Sequence, residues 1–282
     1  MLRGLAEGHG IRFEYADVTG PALELERRHL SGPAAGDELA RSLTAVALIS
    51  ADLGREDERV SVQMRVDGPL GGLLVEAAFD GGLRGYTQRK ILDGLDGRTD
   101  LRPEEVLGAH GSMAVLRSTP QEVLATSHVR ASPPGVRDLL ARYFNLSQQT
   151  PTAVELYLSR DEGLELTRAV GLVAEKMPDG DTERFVEVLE RFNDGAVREA
   201  LSDSSDLDQL STVFRLDRMI AVTDRRELRF ACHCSREKVA EVLRTMPAAE
   251  RAEMIAQDRS QHVTCHLCGE DYVFSPEEMR AL

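Results

Sequence analysis

Phe230-Ala231-Cys232-His233-Cys234-Ser235-Arg236-Glu237 and, thirty residues beyond Cys234, Cys265-His266-Leu267-Cys268-Gly269 hold every cysteine of the 282-residue chain. The pattern is C-x-C, a long loop, then C-x-x-C. One tetrahedral four-thiolate metal site needs two close pairs of this kind. Each pair gives two ligands from a tight turn, and the loop brings the second pair across to the first. Four sulfurs leave no open coordination position, so the metal expected here is structural rather than catalytic. The same thiols can pair into two disulfides, which makes the centre a candidate switch as well as a staple. His233 and His266 lie inside the turns and are expected to be exposed loop residues, because the cysteines already complete a ligand set. His9, His29, His110, His128 and His262 show no ligand spacing.

The surrounding residues frame a small unit over 230–282. Ser235 suits the N-cap of a helix carrying Val239, Val242, Leu243 and Met246. Pro247 suits the first turn of a second helix with Met254 and Ile255. Val263 leads into the second turn, and Gly269 follows Cys268 where a positive φ is often needed. Tyr272-Val273-Phe274 reads as a short strand, and Ser275-Pro276-Glu277-Glu278 as a capping box. A unit of about fifty residues with few large apolar side chains has a poor core and often needs a metal or disulfides. Zinc–thiolate binding supplies about 10–16 kcal/mol in such units, enough to decide whether this one folds.

Upstream the chain reads as α+β over residues 1–178. Ile11, Phe13 and Tyr15 alternate, as do Val60, Val62, Met64 and Val66, which end at the turn Asp67-Gly68-Pro69. Apolar residues recur at helical spacing from Asp37 to Leu53. Leu73–Phe79 and Leu83–Thr87 flank the turn Asp80-Gly81-Gly82 as a hairpin. Further strands are expected at Ser112–Arg117, Glu122–His128, Val154–Ser159 and Thr167–Glu175, with a helix at Val136–Phe144. Residues 179–229 read as a helical linker. Phe185, Val188, Leu189 and Phe192 share one helix face, and Leu207, Leu210, Val213 and Phe214 another. Asn193-Asp194-Gly195 and Ser202-Asp203-Ser204-Ser205 interrupt them. Short helices of this kind draw most of their stability from docking.

Composition narrows the function. The chain has 34 basic and 48 acidic residues, a net charge of −14, which argues against a nucleic-acid surface. No apolar run spans a membrane, and the first residues lack the apolar stretch of a signal peptide, so a cytosolic protein is expected. In that reducing compartment clustered cysteines are more often metal ligands or redox groups than permanent disulfides. No G-x-x-x-x-G-K-[ST] loop supports ATP use, and no nucleophile–base constellation supports an enzyme.

The stretch Phe230–Glu237 resembles the F-x-C-x-C-S-R-E signature of the redox-regulated HslO chaperones, the 33 kDa chaperonin family, and Cys265–Gly269 followed by Tyr272 and Phe274 matches its second turn. The resemblance extends to Val62–Gly71, to Leu83-Arg84-Gly85-Tyr86 and to Leu139–Phe144 with Gln148 and Gln149, so it covers nearly the whole chain. Ala169-Val170-Gly171 and Glu175 depart from it, standing where the family tends to carry A-G-G and Gln. The resemblance implies an ATP-independent holdase rather than an enzyme. When reduced it would hold one Zn²⁺ on Cys232, Cys234, Cys265 and Cys268 and be inactive. Oxidation would form two disulfides, release the zinc and unfold both the zinc unit and the linker. The activated form would be a homodimer gripping unfolding client proteins, with no nucleic-acid or membrane partner. Disulfides Cys232–Cys234 and Cys265–Cys268 would each close a tiny loop and leave the two turns untied. If the linker helices dock partly on the zinc unit, their apolar faces are then freed. Phe185, Val188, Leu189, Phe192, Leu207, Leu210, Val213 and Phe214 are the client-binding candidates.

The main alternative is a zinc-ribbon module that binds nucleic acid. Residues 232–282 hold six basic and nine acidic residues, the wrong balance for it. A thiol oxidoreductase built on Cys265–Cys268 normally opens a helix after a strand, whereas Gly269 and a following strand point to a metal-binding turn.

Overall fold

A computed structural model of the chain describes residues 1–203, 206–216 and 219–282. In chain order the strands and helices are β1 (Leu2–Ala6), β2 (Ile11–Asp17), α1 (Thr19–His29), α2 (Pro33–Ile49), β3 (Arg59–Val66), β4 (Gly72–Ala78), β5 (Gly82–Thr87), α3 (Pro103–Leu107), β6 (Gly111–Ser118), β7 (Val123–Ala131), α4 (Val136–Arg142), β8 (Thr152–Arg160) and β9 (Leu166–Lys176). There follow α5 (Thr182–Asn193), α6 (Ala196–Asp203), α7 (Leu207–Val213), β10 (Ala221–Arg225), β11 (Arg229–Phe230), α8 (Arg236–Thr245), α9 (Ala248–Ala256), β12 (Gln261–Thr264), β13 (Asp271–Phe274) and α10 (Pro276–Ala281). The fold is α+β. One sheet runs β10-β1-β2-β9-β8, a second runs β11-β5-β4-β3-β6-β7, and β12-β13 form a small hairpin.

Helix α2 lies between the two large sheets. Past the charged residues Asp37, Glu38 and Arg41 of its first half it is buried on every side, and Leu43, Ala45, Val46, Ala47 and Leu48 are shut from solvent. Its many alanines let the sheets approach. At Gly171 of β9 a Cβ would come within 2.6 Å of Thr44 Cγ2, so only glycine fits there. Pro33 opens the helix, and the Asp96 carboxylate accepts from the Ala34 N–H at 3.0 Å. The spacing from Asp37 to Leu53 thus marks a helix that starts four residues earlier and ends at Ile49, with a 3₁₀ turn over Ser50–Asp52.

The alternation of β3 puts Val60, Val62 and Met64 into this core, while Ser61, Gln63 and Arg65 face away. The central strands of the other sheet are covered on both faces. Ala169 and Val173 of β9 face the α2 core, while Val170, Leu172 and Ala174 join a second cluster with Ile11, Phe13 and Tyr15 of β2.

That second cluster is where α5, α6 and α7 dock. Phe185, Val188, Phe192, Leu207, Leu210 and Phe214 are buried in it, and Leu189 and Val213 are half-buried against it. The rings of Phe13 and Phe214 lie 4.9 Å apart, and those of Phe192 and Phe214 5.9 Å. Asp181 caps α5 by accepting from the Glu183 and Arg184 N–H groups at 2.9 and 3.1 Å. Ser204 and Ser205 of the expected break lie outside the described residues. Their buried faces therefore dock on the outer face of the five-stranded sheet, and among the described residues this cluster holds none of the cysteine unit. The stretch that follows them contains β10, which pairs with β1 at the sheet's edge.

Candidate metal centre

The cysteine-bearing unit packs a small core of its own from Ala240, Leu243, Phe274 and Met279, flanked by Val239, Met246, Met254 and Ile255. Val242, expected on the inner face of α8, is 62 % exposed. The inner face is the 239, 240, 243, 246 row, and residue 242 falls about a quarter turn from its centre. Ser235 Oγ caps α8 through the Lys238 N–H, and Ser275 with Glu278 forms the capping box of α10.

Each cysteine pair is set by local hydrogen bonds. In the second turn the Cys265 carbonyl accepts from the N–H groups of Cys268 at 3.3 Å and Gly269 at 2.8 Å, and the Cys265 N–H donates to the Glu270 carbonyl at 2.8 Å. Gly269 has φ +74°, the left-handed conformation that favours glycine. The hairpin β12–β13 holds the ends of this turn together. In the first turn the chain passes from β11 directly into Cys232, and α8 begins after Ser235.

The two turns meet. The four Sγ atoms all lie within 4.8 Å of one another, with Cys232–Cys265 at 3.9 Å and Cys234–Cys268 at 3.3 Å. Sulfurs on a tetrahedron with bonds of about 2.3 Å sit about 3.8 Å apart, so the donor set fits one thiolate-bound metal ion. All four are free thiols. His233 and His266 are exposed and stand outside the cluster; the His266 ring faces Tyr86 at 5.9 Å.

The electrostatics separate the thiols. Burial opposes ionisation of Cys232, but hydrogen bonds from the Cys234 main chain, the Cys234 thiol and Arg84 outweigh it and bring its pKa down to about 7. Arg84 Nη1 lies 3.8 Å from that sulfur and also pairs with Glu76. Burial pushes Cys265 and Cys268 up. The Tyr272 hydroxyl donates to Cys234 Sγ at 3.1 Å. A bound cation would lower all four together, because coordination requires thiolates.

The unit is seated on the first part of the chain. Strand β11 lies parallel to β5, the Gly85 N–H donates to the Leu267 carbonyl at 3.1 Å, and Arg28 reaches Glu270 at 3.0 Å while stacking 4.6 Å above the Phe230 ring. This seat is not legible in the sequence, because its contacts are mostly main-chain groups and two arginines, Arg28 and Arg84. The linker residues Val197, Leu201 and Ile220, all buried in the second cluster, were also missed; Val197 and Leu201 do carry i, i+4 spacing.

The fold and site define an α+β protein of two layered sheets carrying a four-thiol centre on an appended unit. The model of the family described as Hsp33 protein matches residues 1–275, and the chain belongs to that family. It is 34% identical to a 33 kDa chaperonin of Deinococcus radiodurans, over all of this chain and 97% of that one. It is 35% identical to one from Thermus thermophilus, over all of this chain and 86% of that one. The crystal structure of the 33 kDa chaperonin (heat shock protein 33 homolog) of Thermotoga maritima shares the fold, with a TM-score of 0.86 at 22% identity, covering 99% of this chain and 95% of that one. Among the described residues no helix is long and apolar enough to cross a membrane.

Proposed function

We propose that this chain is a redox-regulated, ATP-independent holdase of the cytoplasm, organised as a client-binding domain (1–178), a metastable linker (179–229) and a redox-switch unit (230–282). In the reduced state Cys232, Cys234, Cys265 and Cys268 hold one Zn²⁺. When bound, the metal joins two turns across a thirty-residue loop and supplies most of the folding energy of the unit. The observation that carries this reading is the meeting of four sulfurs from two turns within 4.8 Å.

Oxidation converts the four thiols into two disulfides. Each disulfide forms as two thiolates give up two electrons to a two-electron oxidant such as peroxide, which takes up two protons and leaves as two water molecules. The ligand set is then gone. Pairing as Cys232–Cys234 and Cys265–Cys268 closes only very short loops, which stabilise little. The small core of the unit does not hold alone, and β11 and Leu267 come away from β5. The linker loses its anchor at β11, while β10 stays paired with β1. Helices α5 to α7 then depend on their apolar faces alone, and their loosening presents Phe185, Val188, Leu189, Phe192, Leu207, Leu210, Val213 and Phe214 to unfolding clients. The freed surface also supports a homodimer of the oxidised form.

The test is zinc content and free-thiol count before and after peroxide, beside light scattering of an aggregating client. The reading expects one zinc and four thiols with no protection of the client when reduced, and neither zinc nor thiols with protection when oxidised. Stoichiometry near zero in the anaerobically purified protein would overturn it.

A further inference from the structure

Strand β5 is held on one edge by β4 over five antiparallel pairs, from Leu73↔Thr87 to Ala77↔Leu83. Its other edge has no full strand beside it. The two residues of β11 cover one end: the Arg229 N–H donates to the Gly81 carbonyl at 3.1 Å and the Ala231 N–H to the Leu83 carbonyl at 2.9 Å. At the next outward-facing residue the strand is replaced by isolated groups. The Gly85 N–H donates to the Leu267 carbonyl at 3.1 Å, and the Gly85 carbonyl meets His29 Nε2 at 2.9 Å. The covering segment passes close to the strand: at Gly82 a Cβ would come within 3.0 Å of Ala231 Cβ. At Gly85 a Cβ would come within 2.6 Å of the Leu74 carbonyl of β4, on the paired edge.

Two of these partners, Ala231 and Leu267, belong to the cysteine unit. We propose that β5 is a concealed strand-acceptor edge, and that release of the cysteine unit opens residues 81–85 to an extended segment of an unfolding client. The inference rests on the release proposed above. Unpaired main-chain donors and acceptors on a sheet edge are a template for another extended chain. Pairing through main-chain groups asks for no particular sequence, which suits a partner defined only by being unfolded. The present occupant is itself an extended segment bonded through its backbone. Five residues of strand span about 16 Å, room for about five residues of client. Leu83, fully buried, and the ladder to β4 keep β5 in place when its cover leaves. The site complements the linker faces: they supply apolar area, and the β5 edge supplies hydrogen bonds.

Residue-resolved amide exchange at Gly85 tests this, using the full-length chain and a reduced, carboxymethylated protein that stays unfolded in buffer. The Gly85 amide should be protected in the reduced protein, exchange at least tenfold faster after oxidation, and regain protection when the unfolded protein is added. Client binding is read separately by fluorescence anisotropy of the labelled probe. Binding without renewed protection at Gly85 would overturn the strand-acceptor edge while leaving the holdase reading intact. Unchanged protection on oxidation would also overturn it. Absence of binding by the oxidised, metal-free protein would overturn both.

Discussion

Cys234 and Cys268 approach to 3.3 Å and Cys232 and Cys265 to 3.9 Å, each contact running from one turn to the other. This packing fits one shared metal ion. Disulfides formed along the same contacts would keep the turns tied and leave the unit folded. The switch therefore requires neighbour pairing, which becomes favoured once the ligand set is broken and each turn brings its own two thiols together. Peptide mapping after oxidation should find Cys232–Cys234 and Cys265–Cys268; a dominant Cys234–Cys268 bridge would contradict the switch. A second residue-scale feature lies in the sheet. Glu14 is fully buried, with one carboxylate oxygen bonded to Arg3 Nε at 2.9 Å and the other unpartnered. Burial first, then the nearby Glu175 and Asp52, raise its pKa to about 8, with Arg3 and Arg12 pulling the other way. The unfolded chain ionises near the ordinary carboxylate value, so folding takes up a proton between the two. Stability should fall as pH rises from about 4.5 to about 8. Glu14→Gln should accordingly raise the melting temperature at pH 8 by several degrees, with the gain fading towards pH 5. A gain that grows on acidification would refute that assignment.

At the scale of elements, the linker shows what periodicity does and does not say. The i, i+3, i+4, i+7 spacing of Phe185, Val188, Leu189 and Phe192 identifies an apolar face, and all four residues are buried or half-buried. Spacing is silent about what covers that face, and the cover is the sheet of β2 and β9. Short β1 and β10 were not legible because a five-residue strand such as Leu2–Ala6 carries too little alternation to stand out. Helix α1 was missed because its charged residues, Glu24, Glu26, Arg27 and Arg28, are as many as its few buried positions, Pro21, Ala22, Leu25 and His29. The capped turns and the cysteine spacing, by contrast, are local chemistry and could be read directly. The ring of Phe214, set between Phe13 and Phe192, is the linker's central contact. Truncation of such a ring costs about 3–5 kcal/mol. Phe214→Ala should loosen α5 to α7 in the reduced protein, seen as added ANS fluorescence and partial client protection without oxidant while the zinc content stays unchanged. Unaltered ANS binding would remove the linker from the client-binding surface.

Across the whole molecule, three packed units share two junctions. The linker lies on one sheet, the cysteine unit sits on the edge of the other, and the chain from β10 to β11 connects them. The contacts of the cysteine unit with the first part of the chain include a two-residue strand, the Leu267 carbonyl, the Phe230 ring under Arg28, the His266 ring beside Tyr86, the Arg28–Glu270 pair and the Arg84 contact to Cys232. Exposed ion pairs such as Arg28–Glu270 contribute roughly 0–1 kcal/mol each. The seat holds best if the unit is itself rigid, and on the proposed reading that rigidity comes from the metal. That dependence is the central claim, and Cys232→Ser under reducing conditions tests it most directly. Loss of one ligand should unfold the unit and let the reduced variant suppress client aggregation that reduced wild type does not. If variant and wild type are equally inactive and bind ANS equally, the cysteine unit does not restrain client binding and the account fails.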